Sequence, residues 1–202
     1  MKTRSAVVTV SLFVAGILWV GTVGAAYRAI RRFESTPGRA ADAPPVWPAN
    51  SRLARNEGAP TLVMLVHPRC SCTRASMQEL QAIIDKSPRT MRTYVVVYRP
   101  SDAKPGWERT DVYEAAEKLR GTRVFVDDDG KEARLFGTFT SGQTFLYDGN
   151  GTLRFAGGIT LLRGHAGMNS GREDVIWIAK AELGSGTHPV FGCSIITKGD
   201  KR

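Results

Sequence analysis

The chain has 202 residues, 42% of them apolar, which is room for one packed domain with extensions. Its formal charge of +9 resembles a nucleic-acid signal until it is located: residues 1–58 carry +5, residues 198–202 carry +2, and residues 59–197 carry only +2. A nearly neutral body excludes a basic face for nucleic acid, so no nucleic-acid partner is expected.

After a short tail, residues 1–4, the stretch SAVVTVSLFVAGILWVGTVGAAY (residues 5–27) carries no charge. At about 1.5 Å per residue, a helix of this length spans the roughly 30 Å hydrocarbon layer of a bilayer. Trp19 and Tyr27 lie toward one end, where interfacial aromatics collect. An uncleaved transmembrane anchor fits the apolar length and the RAIRR that follows. A cleaved signal peptide fits the basic start and the small residues Gly24, Ala25 and Ala26. Arginines and lysines flank both ends, so charge alone leaves the orientation open. A short basic N-terminus with everything else C-terminal is the usual export arrangement, and the domain is expected in the periplasm or otherwise outside the cytoplasm.

Residues 28–60 read as a linker, with five prolines after residue 32 and little apolar periodicity. Polyproline stiffness near APPVWP would make it a spacer between membrane and domain. The domain itself is expected over residues 61–195, followed by a basic C-terminal tail at 196–202. TLVMLV reads as a buried strand, CTRASMQELQAIIDK as a helix and RTYVVVYR as a second buried strand. RTDVYEAAEKLRG is a helix ending at Gly121, TRVFVDD a short strand and GKEARLFG a short helix. QTFLYDGNGTLRFAGG is a hairpin turning at Asp148-Gly149-Asn150-Gly151, whose Gly149 and Gly151 should flank a turn that needs positive φ. A glycine-rich loop with Arg163 and His165 follows. Ser170 to Glu173 then reads as a capping box before the helix REDVIWIAKAEL. Strands joined through helices lie parallel, and the hairpin adds antiparallel pairing, so the expected class is α/β with a central mixed sheet flanked by helices.

The chemistry-bearing motif is HPRCSC, where the first strand meets its helix. Cys70 and Cys72 stand one residue apart, and the only other cysteine is Cys193. This strand, cysteine pair and later hairpin resemble the thioredoxin-like superfamily, and HPRCSC, YRPSDAKPGWERTD, TSGQTFLYD, GGITLLRGHAG and PVFGC resemble the small membrane-anchored RedB-like family. The resemblance implies a thioredoxin-like fold over about residues 60–195 and thiol-disulfide chemistry. The chain departs from the superfamily pattern twice. One residue separates the cysteines rather than two, and Ser141-Gly142-Gln143-Thr144 stands where a cis-proline is usual. Gly142 should therefore lie beside the cysteines in place of that proline.

A helix N-terminus favours a thiolate, and Arg69 and Arg74 beside the pair would act in the same direction. At 100° per residue Cys72 falls at the edge of the arc holding Ser76, Leu80 and Ile83, so Cys72 should be the more buried thiol and Cys70 the more exposed. On that reading Cys70 attacks and Cys72 resolves. A disulfide across one residue closes a small ring, and departures from relaxed geometry ease reduction. Protein thiols or disulfides are then the partners, the membrane is reached through residues 5–27, and no cofactor is needed. Two other readings stay open. Cys70 and Cys72 with His67 or Cys193 could bind copper or zinc, and the domain could be a non-catalytic interaction module. His67 and His188 read most simply as structural, and Trp107 as a loop anchor.

Overall fold

The computed structural model describes residues 2–181 and 183–196, with side chains from residue 8 onward. Most of the tail at 196–202, and Met1 of the tail at 1–4, lie outside the described residues. The chain divides into two units, Met1–Thr36 and Pro37–Arg202.

The first unit is helix α1, Lys2–Ser35. Its segment Val8–Ser35 is long and apolar enough to cross a membrane, and the side chains of Val8, Leu12, Phe13, Ile17 and Trp19 are all exposed. The helix continues past residue 27 because RAIRRFES contains no helix breaker; Pro37 stands just beyond its end.

The second unit is built on one sheet. Its strands are β1 (Thr61–Val66), β2 (Arg92–Arg99), β3 (Thr122–Asp128), β4 (Gln143–Tyr147), β5 (Leu153–Gly157) and β6 (Gly186–Thr187), in the order β3-β2-β1-β4-β5-β6. β1 is parallel to β2 and antiparallel to β4, and β4 is antiparallel to β5. The two-residue β6, parallel to β5, had no signal in the sequence. The helices are α2 (Thr73–Lys86), α3 (Asp111–Lys118), α4 (Lys131–Leu135) and α5 (Ser170–Ala181).

Every residue of β1 is buried, and the period of two sorts them between two cores. Leu62, Met64 and Val66 face the layer with Leu80 and Ile83 of α2, Val112 and Ala116 of α3, and Val175 of α5. Val63 and Leu65 face the other layer, with Phe136, Phe145 and Tyr147. Burial on both faces of the sheet accounts for the unbroken apolar strands β1 and β2.

The spacer expected at 28–60 is not one. From residue 37 the chain packs on the domain: Trp47 meets Phe136 and Tyr147 edge-on at 5.3 and 5.2 Å, and Leu53 is buried. Trp47 donates its N–H to Gly151, and Leu153 donates to Pro45, extending the sheet's bonding beyond the hairpin. A proline-rich stretch hides such packing, because its main-chain bonds are few and its apolar anchors isolated.

One local expectation holds and one changes. The turn takes a positive φ at Gly151, +84°, while Gly149 is required by close approach, since a Cβ there would sit 2.7 Å from the Gly58 carbonyl carbon. The cap of α5 is Asn169, whose Oδ1 accepts the Arg172 N–H at 2.8 Å, rather than Ser170.

Candidate active site

β1 delivers the chain to the site, and Ser141 fixes where it turns. The Ser141 hydroxyl accepts the His67 N–H at 2.8 Å and bonds the Thr73 hydroxyl at 3.0 Å. Gly142 donates its N–H to Leu65 at 2.8 Å, has φ +89°, and would bring a Cβ to 3.1 Å from Ser76 Oγ. Ser141-Gly142 therefore braces the end of β1 against the start of α2. Its peptide bond is trans, as no described bond is cis.

The turn that carries the thiols is tighter than an α-helix. Thr73 donates to Cys70 at 3.0 Å and Ala75 to Cys72 at 3.2 Å, bonds across three residues. Cys70 thus opens the first turn. Buried Thr73, three residues on, holds the place that a Cys-x-x-Cys motif gives its second thiol. This winding reverses the exposure order expected from an α-helical wheel: Cys70 is buried at 1%, Cys72 is half-buried and Cys193 is exposed.

The structure brings all three cysteines together. The Sγ atoms of Cys70, Cys72 and Cys193 lie within 4.8 Å of one another. Cys193 arrives on the segment after β6, held by Ser141 N–H to its carbonyl at 2.8 Å and by Ile195 N–H to the Phe139 carbonyl at 2.9 Å. Gly192 permits the approach, since a Cβ there would fall 2.0 Å from the Ser141 carbonyl oxygen. The sequence offers Cys193 as one possible third ligand, and Gly192 beside it is the one local sign of a close approach.

The cluster is electrostatically asymmetric. A hydrogen bond from the Cys193 thiol holds Cys70 well below the ordinary thiol range, against burial, with a further hydrogen bond from Thr73. Cys193 is pushed up by donating that bond. Burial, then the Cys70 charge, pushes Cys72 up.

The cations differ from those expected. Arg69 lies over the Trp107 ring at 4.5 Å, and Arg74 pairs with Asp111, so neither is the charge that acts on the thiols. That part falls to Arg163, whose charge lowers Cys72 and Cys193 and whose guanidinium bonds the Gly192 carbonyl. The loop carrying Arg163 is tied to α2 by Glu79, which accepts from Arg172 at 2.9 Å and from the Gly167 N–H. His67 stands outside the group of metal-capable atoms. Its Nδ1 accepts the Arg69 N–H at 3.1 Å and its ring stacks on Tyr98 at 5.7 Å, which corrects its place in the candidate ligand set. His188 stacks on Phe155 and bonds Asp174 at 2.7 Å, and Trp107 is buried against His67 and Tyr98.

Sheet order, the antiparallel β4–β5 hairpin and the thiols at the β1–α2 junction define a thioredoxin-like domain. No protein-family model matches the chain, and no curated protein matches it. Solved structures do. An uncharacterised conserved protein of Geobacillus kaustophilus aligns with a TM-score of 0.56 at 16% identity, covering 82% of this chain and 94% of that one. A hypothetical protein of Sinorhizobium meliloti aligns with a TM-score of 0.55 at 18% identity, covering 81% and 96%. A secreted Mycobacterium tuberculosis disulfide oxidoreductase, described as homologous to E. coli DsbE, aligns with a TM-score of 0.44 at 16% identity, covering 63% and 84%.

Proposed function

We propose that the chain is a membrane-anchored thiol-disulfide oxidoreductase whose domain works outside the cytoplasm on the thiols and disulfides of other proteins. The observation that carries this reading is the pair of thiols at the head of α2, Cys70 buried and Cys72 less so, with Cys70 held below the ordinary thiol range by its Cys193 neighbour. The thioredoxin-like fold supports it, and the apolar helix Val8–Ser35 supports the anchor.

The burial order assigns the roles. In the oxidised protein, Cys70 and Cys72 share a disulfide. A substrate thiolate attacks the accessible sulfur, Cys72 Sγ; the new bond joins substrate to Cys72, and the electron pair of the broken bond leaves with Cys70. A leaving thiol of low pKa departs faster, and a stabilised reduced form makes the disulfide a stronger oxidant. A second substrate thiolate then attacks the substrate's sulfur, forms the substrate disulfide and expels Cys72, which takes a proton from solvent. Two electrons pass from substrate dithiol to protein, and a partner disulfide outside the cytoplasm restores the pair. By reversibility, a reducing cycle also passes through a mixed disulfide on Cys72.

Cys70→Ser should therefore accumulate mixed disulfides linked through Cys72, visible on non-reducing gels and by peptide mapping, while Cys72→Ser should not. Trapping through Cys70 in the Cys72→Ser chain would restore the opposite roles. Trapping by neither would remove the exchange reading.

A further inference from the structure

We propose that, in its fully reduced state, the Cys70–Cys72–Cys193 cluster is a binding site for one Cu(I) ion. The inference uses the thiols of the exchange reading but none of its steps. Three sulfurs lie within 4.8 Å of one another, and among the described residues no His, Asp or Glu joins the group. A metal–sulfur bond of about 2.3 Å places the corners of a trigonal site about 4 Å apart, so each sulfur pair need close by less than about 1 Å. An all-thiolate donor set is soft, which selects Cu(I) over the oxygen- and imidazole-preferring metals. Zinc prefers four ligands, and the group supplies three.

The frame is built on both sides. The α2 turn fixes Cys70 and Cys72, while Cys193 is pinned through its own carbonyl by Ser141 and by the close packing of Gly192 on that residue. Three thiolates and one Cu(I) leave two negative charges, and Arg163, anchored on the Gly192 carbonyl, is the cation beside them. Binding transfers no electrons; the thiol protons go to solvent. Forming the Cys70–Cys72 disulfide removes two ligands, so oxidation of the site releases the ion.

The test uses the full chain in detergent, reduced and kept free of oxygen, titrated with Cu(I) held by the chromophoric competitor bicinchoninate. One ion per chain should transfer, and X-ray absorption should show three sulfurs at about 2.3 Å. Cys193→Ser should lower the affinity tenfold or more, at least the loss typical of disturbing a supporting ligand. No transfer, only two sulfurs around the ion, or preference for Zn(II) in a matched titration would overturn the site. The sulfur count on the unaltered chain decides the matter even where the variant does not fold. Copper uptake without mixed-disulfide trapping would remove the exchange reading and leave the copper site. Trapping without uptake would do the reverse.

Discussion

Replacing Cys193 by alanine removes the hydrogen bond that does most to stabilise the Cys70 thiolate. A hydrogen bond to a charged group is worth about 1.5–3 kcal/mol. Cys193 is itself exposed, so water competes for the bond and the lower end applies. About 1.5 kcal/mol corresponds to a rise of roughly one pKa unit at Cys70. Serine at the same position keeps an O–H donor and should move Cys70 by less than alanine does. The titration can be read from thiolate absorbance in a Cys72→Ser background, or from the Cys70 β-carbon resonance, which needs no access to the buried sulfur. An unchanged Cys70 titration in Cys193→Ala would refute the coupling and leave Cys193 outside the exchange chemistry.

The same asymmetry fixes the sign of the pH dependence. Below the unfolded thiol value near 8.5 the unfolded chain keeps a proton at Cys70 that the folded chain lacks, so urea stability of the reduced protein should rise with pH through neutrality. Above about 8.5 the slope should reverse, because folded Cys72 and Cys193 retain protons that the unfolded chain loses. Cys70→Ser should flatten the rising limb. Gly192→Ala should force Cys193 off the cluster, since its Cβ would overlap the Ser141 carbonyl; crosslinking between the more accessible Cys72 and Cys193 by a short bifunctional thiol reagent should fall with little change in circular dichroism. Trp47→Ala should cost about 2 kcal/mol in chemical denaturation, roughly half the loss for a fully buried aromatic, because Trp47 is half-buried. No loss would return residues 37–60 to the role of a spacer.

The strands and the hairpin could be read before the structure because their signals are local. TLVMLV and RTYVVVYR are continuous apolar runs, and Asp148 organises its turn by accepting the Asn150 and Thr152 N–H groups at 2.9 Å. The cysteine pair was legible for the same reason. Cys193 could be read only as one possible partner, because its place depends on a long-range backbone bond to Ser141, and Gly192 marks a close approach without naming what is approached. The burial order went the other way because a wheel of 100° per residue was applied to a turn whose bonds span three residues. The arginines show a similar limit. Proximity in sequence put Arg69 and Arg74 beside the thiols, but an aromatic face and an aspartate hold them elsewhere.

The reduction potential of the Cys70–Cys72 pair tests the exchange chemistry most directly, measured by equilibrating the full chain with glutathione buffers and counting alkylated cysteines by mass. A thiolate stabilised in the reduced form raises the potential, so the pair should be more oxidising than about −200 mV, well above thioredoxin at about −270 mV. A pair that forms no disulfide with glutathione, or one that titrates at or below about −270 mV, would contradict the stabilised Cys70 thiolate and the oxidant role built on it.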